Sequence, residues 1–582
     1  MAMFALGLLL AAPRAMGASA AVSPVNAAIS TMTDARIVVT ESGLIPDGAT
    51  WPADAPNRLA ILGGGYDALL LRVHLIREAK RSILVQTFIW TNDECGRLLM
   101  YELIEAARRG VKVRVIADHM VSEQNPATAA FLAVVHPNLE VRHYRPAMSR
   151  LKASFYHTIL AGIRSFRDVN QRMHNKVMVF DDTVLITGGR NVENTYYDHS
   201  VSMNFRDRDV VAVGPVAREA VKSFEEFWSY RHCVPSRALT DVAERIARED
   251  FPHYATRADY DFGGMFDELD RQASDRALMA ERFGRQLEAV EKVEFISDEP
   301  GKSKGYFSTT ARITRELRRT LEGAKQSIVM QTPYLVLSKP AIKLVTELRE
   351  KNPGLRIRIS SNSFASTDNL LAYSANYRLR NRYVEELQLE VHEFKPQPAS
   401  LLALFPRYPE MLARARERSP GASPTTRPPF LCVHAKSLVV DDRVAFVGSY
   451  NLDPRSESLN TEVGLLVVDG KFARKLREEI ERDMRPENSW VIARRAIPLG
   501  LDSLNSLVGG LMGLGPVDLW PVRNTTSFEL KPGGREVPPG DPAFYENYRE
   551  AGSFPGAEGP ITQKEILTRL YKAVGSPLTP IL

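Results

Sequence analysis

His174-Asn175-Lys176-Val177-Met178-Val179-Phe180-Asp181 and His434-Ala435-Lys436-Ser437-Leu438-Val439-Val440-Asp441 carry one pattern, H-x-K-x4-D, 260 residues apart. Seven positions after each Asp, a run opens on a small pair and closes on an Asn: Gly188-Gly189-Arg190-Asn191 and Gly448-Ser449-Tyr450-Asn451. A lone H-x-K means little, since chance supplies such short patterns. Two copies with identical spacing, each on an apolar, β-branched background, are a repeat. A repeated half-site implies two similar halves closing on one substrate.

The windows 172–186 and 432–447 are rich in Val, Leu, Ile and Phe and are broken by Asp-Asp-Thr and Asp-Asp-Arg. Each reads as two strands joined by a tight turn. Along a strand, residues i and i+2 face one side, so His174 projects with Lys176 and His434 with Lys436. Asp181 and Asp441 have the opposite parity and fall at the turns, where they are expected to brace the loop or a distant partner. Two imidazoles, two ammonium groups and the amides of Asn191 and Asn451 form a basket for a phosphodiester. The Lys and Asn groups can donate to charge on the phosphoryl oxygens. One His can attack phosphorus while the other protonates the departing oxygen.

On these motifs the chain resembles the phospholipase D superfamily over roughly residues 55–495. Ala79-Lys80-Arg81-Ser82-Ile83-Leu84-Val85-Gln86 and Ala324-Lys325-Gln326-Ser327-Ile328-Val329-Met330-Gln331 are a second repeat, a helix end running into a strand. The fold class expected is α/β: two similar mixed-sheet halves flanked by helices, related by a pseudo-twofold axis, with one active site at the seam. The resemblance implies that Asp207 and Glu462, in similar apolar strands, each accept from a catalytic imidazole and fix its tautomer. The implied catalytic set is His174, Lys176, Asp181, Asn191, Asp207, His434, Lys436, Asp441, Asn451 and Glu462.

Finer likenesses point to one branch. Arg172-Met173-His174-Asn175-Lys176, Val213-Gly214-Pro215-Val216, Pro333-Tyr334 and Asn451-Leu452-Asp453-Pro454-Arg455-Ser456 resemble bacterial cardiolipin synthases of the C type. That resemblance implies transfer of a phosphatidyl group to the glycerol hydroxyl of phosphatidylglycerol, through a covalent phosphohistidine on His174. A phospholipase D-type hydrolase or a phosphodiesterase nuclease would use the same site. Val192-Glu193-Asn194-Thr195-Tyr196-Tyr197 stands where a Gly-Asp pair is expected, and Ser361-Asn362-Ser363-Phe364 replaces Thr-Asn-Ser-Leu. By resemblance, Asn362, Asp368, Tyr377 and Arg380 are the acceptor-binding residues. An equally open reading has Asn362 and Asp368 capping the helix that follows.

Composition sets wider bounds. The chain has 582 residues, 44% hydrophobic and 25% charged, as in a multi-domain globular protein. Its net charge of +5 fits an anionic membrane surface and does not by itself argue for nucleic acid. The partners expected are phospholipids at a membrane surface. Cys95, Cys233 and Cys432 offer no metal spacing; no structural metal is read, the resemblance implies no catalytic one, and no cofactor is expected. Basic residues cluster in 407–427, as a solvated insertion or a headgroup contact.

The division expected is a signal-like segment over 1–20, an N-terminal extension over 21–54 and a first half over 55–235. A helical linker over 236–300, a second half over 301–495 and a tail region over 496–582 follow. The apolar run 3–12 with Ala18-Ser19-Ala20 is too short to span a bilayer and resembles a leader. The expected location is therefore membrane-associated, exported to the periplasmic face of a bacterial inner membrane. The glycine-rich apolar stretch within 499–520 either dips into an interface or packs on the second half, and 561–582 reads as a short docking helix.

Overall fold

A computed structural model describes Leu44 and residues 56–119, 121–122, 124–146, 149–152, 171–262, 266–302, 311–418, 427–495 and 524–556. The signal-like segment, the apolar stretch within 499–520 and the 561–582 helix lie outside the described residues, as does the N-terminal extension apart from Leu44.

Among the described residues, two large sheets, of nine and ten strands, organise the chain. The first has nine strands, ordered Glu288–Ala289, Arg58–Leu62, Asp209–Val213, Val184–Gly188, Val177–Phe180, Ser82–Thr87, Lys112–Asp118, Leu139–Tyr144 and Cys233–Pro235. The second has ten, ordered Lys292–Ser297, Val463–Val468, Val444–Gly448, Ser437–Val440, Ser327–Gln331, Arg356–Asn362, Glu390–Phe394, Ser489–Arg494, Thr525–Leu530 and Tyr548–Gly552. From Arg58–Leu62 and from Lys292–Ser297 onward, eight strands correspond one for one, with the same parallel and antiparallel neighbours. The duplication read from two short motifs is thus a duplication of the whole α/β half.

The hairpins form where the apolar pairs predict them. Val177–Phe180 pairs with Val184–Gly188, and Ser437–Val440 with Val444–Gly448. At both turns two successive aspartates, Asp181-Asp182 and Asp441-Asp442, take positive φ between 49° and 61°. Asp tolerates this region because its short side chain can satisfy nearby backbone. His174, Lys176, His434 and Lys436 precede these strands, which differs from the continuous strand windows expected. The cause is a different pairing: the lead-ins bond to the opposite half. Phe430–Val433 runs parallel to Met203–Arg206, and Met173 bridges to Thr461.

The three largest apolar clusters among the described residues hold the layers. One covers the outer face of the first sheet and takes in Tyr260, Phe262, Phe266 and Leu269 from the connection between the halves. One covers the outer face of the second sheet. The third lies between the halves, where helices Val216–Trp228 and Gly470–Met484 pack Phe224, Phe227, Leu476 and Ile480 against Val179, Leu185, Val439 and Ala445. A buried polar seam crosses the same interface: Arg206 pairs with Asp483 and Glu479, and Arg208 donates to Gln331 and Ser437. Each is costly to leave unpaired, so this seam fixes the halves in one registration.

The insertion containing helix Tyr408–Arg418 reaches across to the first half. There Arg418 pairs with Glu94, Arg414 meets His199 and Arg407 lies over Tyr66. Among the described residues, no helix is long and apolar enough to cross a membrane.

Candidate active site

Both motifs meet at one end of the seam, and each histidine takes its acid from the other half. His174 Nδ1 lies 2.8 Å from Glu462 Oε2, and His434 Nδ1 lies 2.7 Å from Asp207 Oδ2. The backbone enforces this crossing. His174 N donates to Thr461 O at 3.0 Å, and His434 N donates to Arg206 O at 2.9 Å, so each imidazole is laid beside the residue preceding its acid. All four side chains are buried.

A second matched pair holds the residue before each histidine. Asp118, at the end of its strand, accepts from Met173 N at 2.9 Å. Asn362, at the same place in the second half, accepts from Val433 N at 2.7 Å and donates to Val433 O at 2.8 Å. Neither motif points to Asp118, although its position at the end of the strand Lys112–Asp118 matches that of Asn362.

The motif aspartates face away from the pocket. Asp181 accepts from the backbone N–H groups of Lys80, Arg81 and Ser82 at 2.7–2.9 Å. Asp441 does the same for Lys325, Gln326 and Ser327 at 2.7–2.8 Å. They pin the hairpin turn to the start of the neighbouring strand, and their role is positional.

The lysines fold back onto the histidines. Lys176 Nζ donates to His174 O at 2.8 Å and lies 4.9 Å over the Phe88 ring. Lys436 Nζ donates to His434 O and sits 3.0 Å from His434 Nε2. Asn191 does not present its amide to an open pocket. Its Oδ1 accepts from Ile89 N at 3.2 Å and its Nδ2 donates to Tyr196 OH at 2.8 Å. Asn451 donates its backbone N–H to Ser456 Oγ at 3.1 Å, and its buried Oδ1 has no hydrogen-bond partner among the described residues.

The acceptor residues expected by resemblance separate into two groups. Asn362 braces the lead-in to His434, as above. Asp368 is exposed at the pocket's edge, where it accepts from Tyr334 OH at 2.7 Å and its charge acts on His434 and Lys436. Neither caps the next helix; Asn369 does. Tyr377 and Arg380 are elsewhere. Arg380 donates to Ser527 and Glu393, and Tyr377 packs on Phe554, so both join helix Leu370–Asn381 to the C-terminal strands.

Electrostatics distinguish the two half-sites. Burial holds the His174 imidazole well below its usual range, reinforced by Lys176, Lys436 and His434. Burial and Lys436 hold His434 at about 4. Burial lifts Glu462 to about 7, against the pull of Lys176 and the Ser449 and Ser456 hydroxyls. Burial would lift Asp207 too, yet His434 and Lys436 outweigh it and keep this carboxylate well below the usual range. Lys436 itself falls to about 8 through burial.

Gly189 makes the difference in support visible, because a Cβ there would stand 2.1 Å from the Asp207 carboxylate. Its counterpart Ser449 instead donates a hydroxyl to Glu462. Two imidazoles, two lysine amines and two acids, all buried at one site, can hold a phosphodiester and pass its phosphoryl group through a histidine.

A family model described as "Cardiolipin synthase, PLD-like domain" matches the chain twice, over residues 73–228 and 317–484. The chain therefore belongs to the phospholipase D superfamily, within that cardiolipin synthase-like domain family. It is 28% identical over 425 residues to cardiolipin synthase C of Escherichia coli, covering 70% of this chain and 80% of that protein. It is 30% identical over 440 residues to an uncharacterised protein of Helicobacter pylori, covering 74% and 79% respectively. Among solved structures, the phosphatidylserine synthase of Haemophilus influenzae matches with a TM-score of 0.49 and 16% identity, over 78% of this chain and 91% of that one.

Proposed function

We propose that the protein is a phosphatidyl transferase that makes cardiolipin from phosphatidylglycerol and a second phospholipid. The observation that carries this reading is the crossed pair of His–acid contacts within one pocket. The likeness to cardiolipin synthase C supports the choice of substrates.

A nucleophilic imidazole must be neutral, with its lone pair on the ring nitrogen that faces phosphorus. His174 meets this requirement, being held neutral, with Glu462 at Nδ1 leaving Nε2 to attack. As the P–N bond forms, the P–O bond to the leaving alcohol breaks and His434 supplies that oxygen with a proton. An ionised Asp207 beside His434 favours the imidazolium needed for this. In the free site burial and Lys436 keep His434 neutral; the anionic phosphodiester restores the field that favours its protonation. In the second step the acceptor hydroxyl attacks phosphorus, gives its proton to His434 Nε2, and the P–N bond breaks. Lys176 and Lys436 stabilise charge on the phosphoryl oxygens throughout.

The substrates place the enzyme at a membrane surface, and the leader-like N-terminal sequence favours the periplasmic face of a bacterial inner membrane. The test is to incubate the purified protein with phosphatidylglycerol vesicles, with and without phosphatidylethanolamine, and separately with a single-stranded oligonucleotide. Cardiolipin is the expected product. Phosphatidic acid alone would make the protein a hydrolase, and a shortened oligonucleotide would make it a nuclease.

A further inference from the structure

The two ends of the pocket differ in the groups they offer an incoming alcohol. Beside His174 stands the Phe88 ring, 4.7 Å between centroids. Beside His434 stand the Phe205 ring, 4.6 Å between centroids, and in addition a hydroxyl: Tyr196 OH lies 3.5 Å from His434 Nε2. Because Tyr196 OH accepts from Asn191 Nδ2, its own proton is free to point at that nitrogen. Next to it Tyr334 OH donates to Asp368 Oδ2 at 2.7 Å, and the charge of Asp368 acts on both tyrosines.

The internal repeat shows that this group belongs to one side only. Tyr334 is the seventh residue after Ser327, and the seventh after Ser82 is Ile89. Tyr196 is the fifth after Asn191, and the fifth after Asn451 is Ser456, whose hydroxyl goes to Glu462 at 2.7 Å. The mates of the two tyrosines therefore offer an alkyl group and a hydroxyl already engaged with an acid.

We infer that Tyr196, Tyr334 and Asp368 form the acceptor pocket: it takes a polyol, binds the free hydroxyls of a glycerol headgroup, and presents one of them to His434. This rests on the transferase reading above. Asp368 is exposed and Tyr196 is buried, so the three side chains reach from the surface to the imidazole. A carboxylate and two phenols match the donors and acceptors of a diol. Such a match is what lets a dilute alcohol outcompete concentrated water, since a site built on hydroxyl contacts discriminates strongly against a ligand that lacks them. Tyr196 and Tyr334 are positioning residues in this scheme, because His434 moves the proton.

The test uses the full chain with phosphatidylglycerol–phosphatidylethanolamine vesicles and, separately, glycerol as a soluble acceptor. The ratio of transfer product to phosphatidic acid is read for the wild type and for Tyr196→Phe, Tyr334→Phe and Asp368→Asn. The ratio is expected to fall about tenfold in each variant, the value of one hydrogen bond to the acceptor, and half-saturation by glycerol is expected to rise. A wild type that makes cardiolipin, with variants whose ratio is unchanged because both products fall together, overturns the pocket alone. A wild type that transfers to neither acceptor overturns the transferase reading and the pocket with it. Asp368 is exposed, so its variant keeps the test open if a tyrosine variant misfolds.

Discussion

At His434 the partner acid Asp207 is a committed anion, and the Tyr196 hydroxyl and Asp368 stand nearby. At His174 the partner acid Glu462 is pushed up to about 7 and bound by two serine hydroxyls. The two half-sites share strand order, turns and backbone contacts, yet they differ in charge. Duplication supplies the same scaffold twice, and a few side chains then divide the chemistry. A firm anion beside His434 suits proton traffic. A weak anion beside His174 fixes a tautomer without making the ring cationic, which suits attack on phosphorus.

The largest expected effect tests whether the halves act as one unit. His174→Ala and His434→Ala are each expected to lower kcat by roughly four orders of magnitude or more, and the double variant to be hardly worse than either. Rates from phosphatidylglycerol vesicles decide this, and additive losses would mean two independent sites.

The acids should separate the two roles. Asp207→Asn is expected to cost on the order of a thousandfold with a natural alcohol leaving group and far less with a phenol that leaves without a proton. Glu462→Gln should cost about the same with both substrates. Identical sensitivity at the two positions would erase the distinction drawn between the half-sites.

The pH profile sharpens the same comparison. Above about 7, Glu462 is a carboxylate that accepts Nδ1–H and leaves the His174 Nε2 lone pair free. Below it the carboxyl is protonated and donates to Nδ1, which moves the ring proton to Nε2 and blocks attack. With a phenol-leaving donor, which needs no proton from His434, the kcat/KM profile should therefore fall on the acid side with a midpoint near 7, and that limb should vanish in Glu462→Gln.

Much of this is legible in the sequence. Two H-x-K-x4-D motifs fixed the number of halves, and apolar hairpins broken by Asp-Asp located the turns. Opposite parity turns Asp181 and Asp441 toward the loop or a distant partner, and the partner is the backbone at the start of the neighbouring strand. Which acid serves which histidine was not readable, because spacing within one half says nothing of a partner that arrives across a pseudo-twofold. Asn191 looked like a phosphate donor because its amide is occupied only in three dimensions, by Ile89 and Tyr196. Arg380 and Tyr377 followed Asn362 and Asp368 in sequence, but the helix turns them toward the C-terminal strands.

The smallest effect concerns stability. Asp181→Ala should lower unfolding free energy by on the order of 3 kcal/mol, since three backbone donors lose a charged acceptor. Asp441→Ala should cost less, because two of its donors lie near solvent and water can replace the carboxylate. Denaturant midpoints for the two variants, read against wild type, give the order; an inverted order would contradict the burial difference.

The division of labour is tested most directly by trapping the intermediate. Quenching the enzyme during turnover on a radiolabelled phosphatidyl donor, then mapping the acid-labile phosphopeptide, should place the label on His174. His434→Ala should still form it with a donor that carries a phenol leaving group, and His174→Ala should not. A label on His434 with none on His174 would reverse the roles assigned to the two half-sites.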